Sequence, residues 1–165
     1  MPEAALSAEG GGIVDVQAFA RIDLGHRRLL GLDLGSKRIG LALSDVTRTI
    51  ASPFTTLTRR KFSLDAALLL RLADEHDVGG FVLGLPINLD GSQGPSARST
   101  RAFAANLARL TRRPILFWDE RLTTVAAERA LLAADASRRR RAAVIDKVAA
   151  SLILQGALDR LKLLA

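Results

Sequence analysis

The sequence predicts an α/β protein, a mixed sheet of five strands flanked by helices, and three observations carry that prediction. Two apolar runs, residues 29–34 and 39–44, stand either side of Gly35-Ser36-Lys37, which is hairpin chemistry. Further along, helix-periodic stretches alternate with short apolar runs, and a helix between two strands implies a parallel crossover. The chain ends in a helical stretch over about residues 142–164 whose apolar face of Ile145, Val148, Ala149, Leu152, Ile153 and Gly156 must lie against the sheet.

Taken in order, residues 1–28 contain the Gly10-Gly11-Gly12 break and mixed polarity, and read as a flexible or loosely packed extension before a domain over 29–165. Asp23-Leu24-Gly25 repeats the triplet Asp33-Leu34-Gly35, but charged residues follow it where the later copy leads into a strand, so it reads as coincidence. After the hairpin, residues 50–57 give a third strand, placed at an edge by Pro53. Ser63 offers a cap for a helix over 64–76, with Leu64, Ala67, Leu68 and Leu72 in register, and Gly79-Gly80 reads as its stop. Residues 81–85 make a short buried strand. Pro95 then suits the first turn of a helix that turns Phe103, Leu107 and Leu110 inward. Residues 114–118 make the fifth strand, followed by Asp119-Glu120-Arg121, and Thr123 or Thr124 offers a cap for a helix to about residue 134. Residues 136–141, with Arg138, Arg139, Arg140 and Arg141 in succession, read as a solvated loop.

A chain of 165 residues is long enough for one substantial core and short for two domains. With no cysteine, a disulfide framework and a thiolate zinc site are excluded. There is no long apolar run and no basic-then-apolar leader, so neither a membrane span nor a secretory signal is indicated, and the default location is the cytoplasm. Lys and Arg number 24 against 17 Asp and Glu, a net charge of +7, which favours a polyanionic partner such as nucleic acid. Tyr is absent and the aromatics form no stacking series, so recognition would rest on phosphates.

Three acids stand out against this background. Asp33 lies inside an apolar strand, where a lone carboxylate is costly unless it is paired, hydrogen-bonded or bound to a metal. Strand alternation puts it on one face with Leu29 and Gly31. Gly31 leaves room on that side, while Gly35 and Gly40 suit either close approach of a ligand or tight turns and strand packing. Asp146 shares a helix face with Ala150, Ile153 and Ala157, so it looks inward, although an acid in a first turn also favours the helix dipole. Asp119 and Glu120 point to opposite faces, and periodicity does not say which one enters a site. Inward acids from the first strand, the fifth strand and the last helix, without His or Cys clusters, suit Mg²⁺ or Mn²⁺. Two such ions activate a water and stabilise the leaving oxygen in phosphodiester hydrolysis.

At these residues the chain resembles the YqgF family, RNase H-like proteins related to the Holliday-junction resolvase RuvC. Four blocks carry the resemblance in order, GLDLGSKRIGLALSD at 31–45, VLGLPINLDG at 82–91, DERLTTVAA at 119–127 and IDKVAASLILQGAL at 145–158. It implies an RNase H-like fold with the first three strands antiparallel and the last two parallel. It implies a metal-dependent nuclease, acting on the 5′ end of precursor 16S ribosomal RNA or on branched DNA. The family's acidic positions fall on Asp33, Glu120 and Asp146, as catalytic residues and metal ligands alike, and the choice of Glu120 over Asp119 comes from the family. Lys37 and Arg38 follow the first strand closely enough to contact a scissile phosphate, Arg121 borders Glu120, and Arg98 sits at a helix N-terminus. Arg138, Arg139, Arg140 and Arg141 become a candidate clamp on the nucleic-acid strand. Asn88, Asp90 and Gly91 fit a turn better than a substrate contact. The extension before Leu29 departs from the family pattern without touching a motif residue.

Two other classes compete. DLGSKRIG also looks like the first phosphate loop of the actin, sugar-kinase and chaperone ATPase superfamily, but those proteins bind nucleotide between two such domains and this length holds one. A non-catalytic module holding nucleic acid or a protein factor would not need all three acids, and their joint presence favours catalysis. No residue pattern separates RNA from DNA, so the preference for precursor ribosomal RNA rests on the resemblance. Resolving a symmetric junction would call for a homodimer.

Overall fold

The computed structural model describes residues 11–122 and 138–165, with residues 138–141 described by backbone alone. Strands β1 (Arg28–Leu34), β2 (Arg38–Ser44), β3 (Ala51–Thr58), β4 (Val78–Leu85) and β5 (Ile115–Asp119) form one sheet in the order β3-β2-β1-β4-β5. The pairs β1–β2 and β2–β3 are antiparallel, and β1–β4 and β4–β5 are parallel, as the resemblance implies. The described helices are α1 (Val16–Ala20), α2 (Phe62–Glu75), α3 (Pro95–Ala108), a 3-10 turn (Glu120–Leu122) and α4 (Arg138–Leu164). No helix among the described residues is long and apolar enough to cross a membrane.

The alternation of β1 separates two cores. Leu30 and Leu32 join Ile39, Leu41, Phe81 and Leu83 under α2 and α3, through Ala66, Leu69, Phe103 and Leu107. Leu29, Ala42, Val82, Leu116 and Trp118 lie on the other face under α4, against Ala149, Ala150, Ile153, Leu154, Ala157 and Leu158. Burial of the Leu, Ile, Val and Phe side chains among these, each contributing about 1.5–3 kcal/mol when fully withdrawn from water, clamps the sheet between the helices. β3 takes the edge that Pro53 predicts. Leu41 pairs with Thr55 and Ala42 with Pro53, so Phe54 is the extra residue of a bulge.

Several boundaries differ from the sequence expectation. Ser63 is inside α2 and does not cap it; instead Asp65 reaches back to accept the Arg60 N–H at 3.2 and 3.1 Å. The inward line of α2 is Ala66, Leu69 and Ala73, leaving Leu64 exposed. Leu110 lies beyond α3 and is exposed as well. Gly79 and Gly80 do not stop a helix, because they belong to β4, and the chain turns at Asp77 with φ 54°. A Cβ on Gly80 would stand 2.9 Å from Phe19 Cζ, and one on Gly79 2.9 Å from Arg27 Cβ. These glycines make room for the segment that precedes β1.

That segment is packed, which corrects the expectation of a loose extension for residues 13–28. Ile13 bridges to Ile115, Asp15 caps α1 by accepting the Ala18 N–H at 2.7 Å, and Phe19 and Leu24 are buried. The triplet at Asp23 is a turn, with the carboxylate accepting the Gly25 N–H at 2.9 Å and Gly25 at φ 59°. Residues 1–10 and the helix expected after Thr123 or Thr124 lie outside the described residues. The loop expected over 136–141 is corrected in part: the backbone of Arg138, Arg139, Arg140 and Arg141 is the first turn of α4. Arg and Ala are strong helix formers, and no Gly or Pro interrupts them before Ala142 and Ala143.

Candidate active site

Asp33 is 9% exposed and faces α4, as period two requires. Two residues earlier, a Cβ on Gly31 would meet Leu154 Cβ at 2.8 Å and the Ala150 carbonyl at 3.1 Å, so this face of β1 lies directly beneath the helix. Asp33 pairs with Gly40 of β2. On its other side the β1–β4 register ends at Leu32–Leu83, and the next residue of β4 is Gly84. Both strands beside Asp33 therefore carry glycine where a side chain would crowd it. Helix α4 and Glu120 fill the cleared space. A Cβ on Gly40 would stand 2.0 Å from the Asp146 carbonyl oxygen, and one on Gly84 would stand 2.5 Å from Ile153 Cδ1 and 3.1 Å from Glu120 Oε1. Gly84 went unnoticed in the sequence, where it is one small residue within the apolar run 81–85.

The two acids at the end of β5 separate as alternation demands. Leu116 and Trp118 belong to the core under α4, and Glu120 continues that set with its buried Oε1 beside Gly84. Asp119 belongs to the other set. Its carboxylate takes the Arg121 guanidinium in a fork, with Nη2 at 2.7 Å and Nε at 3.1 Å from both oxygens, and accepts the Arg121 N–H at 2.9 Å. The Arg121 side chain holds the Asp119 carboxyl below the usual carboxylate range. A folded pKa below the unfolded value of about 3.9 means that the fork contributes above that value and is lost as the pH falls through the folded one. Arg121→Gln is expected to return the Asp119 titration, followed by carboxyl NMR, toward the ordinary range; an unchanged titration would remove Arg121 as the cause.

Asp146 lies on the line that continues through Ala150, Ile153 and Ala157, all fully buried. Its backbone sits on Gly40, and the Thr56 hydroxyl donates to the Ala143 carbonyl at 2.6 Å, tying this end of α4 to the sheet. The Asp146 carboxylate accepts from Arg38 Nε at 2.7 Å. Three carboxylates from β1, the end of β5 and α4 thus lie on one face around the two glycines. In kind this donor set fits a hard, oxygen-preferring divalent cation. In position it is not gathered: among the described residues, no three His, Cys, Asp or Glu side chains lie close enough to hold one ion. Asp146 is turned to Arg38 instead.

Of the predicted basic contacts, Lys37 is exposed in the hairpin turn and Arg38 begins β2. Arg98 is exposed in the first turn of α3, with Nη1 3.4 Å from the Gln93 carbonyl. Arg121 reaches the Asn88 carbonyl at 3.5 Å and so links the end of β5 to the loop after β4. That loop is the expected turn. The Gly91 N–H donates to the Asn88 carbonyl at 2.8 Å, Gly91 has φ 88°, and Asp90 accepts from the Ser92 N–H and hydroxyl, which lowers its pKa. The side chains of Arg138, Arg139, Arg140 and Arg141 lie outside the described residues.

A family model described as RuvX, Holliday junction resolvase, matches residues 27–160. The chain belongs to the RuvX family. A protein of Paramagnetospirillum magneticum named "Putative pre-16S rRNA nuclease" is 65% identical over 133 residues, which cover 81% of this chain and 86% of that one. A protein of the same name from Paracoccus denitrificans is 59% identical over 150 residues, covering 91% of this chain and 95% of the other. These matches bear out the resemblance carried by the four sequence blocks. Among solved structures, T. thermophilus RuvC in complex with a Holliday junction substrate aligns with a TM-score of 0.49 at 12% identity, covering 78% of this RuvX-family chain and 92% of RuvC. The sheet has the strand number and directions that the resemblance implies, and the relatives and family name together support a nuclease role.

Proposed function

We propose that this RuvX-family chain is a divalent-metal-dependent endonuclease that hydrolyses phosphodiester bonds at the 5′ end of precursor 16S ribosomal RNA in the cytoplasm. Asp33, Glu120 and Asp146 are its catalytic acids. The observation that carries this reading is Asp33, a buried carboxylate flanked by Gly40 on one neighbouring strand and Gly84 beside it on the other, with Glu120 and α4 occupying the cleared space. Burying a charge and removing the side chains around it is unfavourable for stability and is characteristic of a functional site. The ribosomal substrate is supported by the relatives' name.

Asp33, Glu120 and Asp146 are the residues that would hold Mg²⁺ or Mn²⁺, most simply as a pair of ions. When bound, such ions supply an activated water and stabilise the leaving oxygen. The chain's own part is positioning. Strand β1 and the packed helix fix Asp33 and Asp146 on regular elements, and Lys37, Arg38, Arg98 and Arg121 would supply charge for backbone phosphates. Arg138, Arg139, Arg140 and Arg141 extend that charge to the start of α4. The description of the family model favours a second reading, resolution of four-way DNA junctions by a homodimer.

The test offers wild type and Asp146→Asn a precursor 16S RNA and a four-way DNA junction with Mn²⁺. Site-specific cutting of the RNA by wild type alone is the expected result. Cutting of the junction alone would establish the second reading, and failure to cut any substrate would leave a binding module.

A further inference from the structure

Arg38 stands two residues before Gly40 on β2, so both face α4, and its Nε donates to Asp146 Oδ2. This contact differs in kind from the Asp119–Arg121 fork. The fork engages both carboxylate oxygens through Nε and Nη2, whereas Arg38 gives Asp146 a single hydrogen bond from Nε to one oxygen. A single hydrogen bond to one carboxylate oxygen is the weaker and more exchangeable arrangement. The backbone at Asp146 is fixed by its seat on Gly40, so the carboxylate can change partner only by side-chain rotation.

We propose that Arg38 and a divalent cation compete for Asp146. The guanidinium neutralises this carboxylate in the metal-free protein, and metal binding releases Asp146 toward Asp33 and Glu120 while freeing Arg38 for a phosphate of the substrate. This rests on the metal-dependent reading above, and it accounts for three acids that share a face without being gathered around one point. The freed arginine would couple the two events, since metal binding would deliver a cation of fixed charge and planar donor geometry to the place where the nucleic-acid backbone arrives.

Calorimetric titration of Mn²⁺ into the full chain without nucleic acid tests the competition. Arg38→Gln is expected to bind Mn²⁺ about 2- to 5-fold more tightly than wild type, the range that loss of a competing, partly exposed ion pair supplies. Against an Asp146→Asn background the same change is expected to give no gain, which isolates the pair. In wild type, saturating Mg²⁺ is expected to move the Arg38 Nε–H NMR signal away from its carboxylate-bonded position. Equal or weaker Mn²⁺ affinity in Arg38→Gln would mean that Arg38 only anchors α4, and it would overturn the proposal. An Arg38 signal unmoved by saturating Mg²⁺ would do the same and needs no variant to fold. If wild type and Arg38→Gln both bind no Mn²⁺, the metal-dependent reading itself fails and takes this inference with it.

Discussion

Asp33→Asn is expected to lower the rate of phosphodiester cleavage by about 100-fold or more while leaving the protein as well folded as wild type. The amide keeps the size and much of the hydrogen-bonding capacity of the carboxylate, so the 9% exposed site stays filled. Only the negative charge is lost, and with it the strongest donor to a bound cation. Because the amide fills the same space, thermal melting should show a midpoint close to that of wild type. Single-turnover cleavage with excess protein separates the loss of chemistry from any loss of binding. A variant that unfolds would assign Asp33 a structural role, and a variant that cuts normally would remove it from the site.

Gly40→Ala is expected to be the most destabilising single methyl addition in the sheet. The new Cβ would lie 2.0 Å from the Asp146 carbonyl oxygen, 2.3 Å from its carbon and 2.9 Å from the Lys147 nitrogen. All three are backbone atoms, so no rotamer change relieves the clash, and α4 would have to lift from β2. Overpacking of this severity costs about 3 kcal/mol or more, and for a domain of this size it lowers the melting midpoint by roughly 6 °C or more. Gly84→Ala provides the contrast. Its nearest atoms are side-chain ends, Ile153 Cδ1 and Glu120 Oε1, which can shift. A smaller loss, about 1–2 kcal/mol, is expected there, with a disproportionate loss of cleavage because Glu120 is displaced. Equal melting midpoints for the two variants would mean that α4 does not bear on β2 as described.

What was legible in the sequence was whatever depended on local period. The hairpin, the inward direction of Asp33, the edge position of the strand containing Pro53 and the line of Asp146 with Ala150, Ile153 and Ala157 all follow from spacings of two or of three and four. What was not legible depended on residues distant in the chain. Gly79 and Gly80 read as a helix stop until Phe19 and Arg27 are seen against them. Leucines surround α2, so its inward line was misread, and packing against Phe103 and Leu107 decides it. The choice of Glu120 over Asp119 needs the burial of Leu116 and Trp118 under α4, which alternation alone does not orient. The ion pair of Arg38 with Asp146 joins residues 108 positions apart and leaves no local trace.

Which face of the sheet carries the chemistry is tested most directly by measuring cleavage of precursor 16S RNA by Glu120→Gln and Asp119→Asn beside wild type. The two acids are adjacent in sequence, at the end of β5, and point to opposite faces of the sheet. Glu120→Gln is expected to lose cleavage, and Asp119→Asn to retain most of it with Arg121 less firmly held. Normal cutting by Glu120→Gln together with an inactive Asp119→Asn would contradict a site built around Asp33 beneath α4.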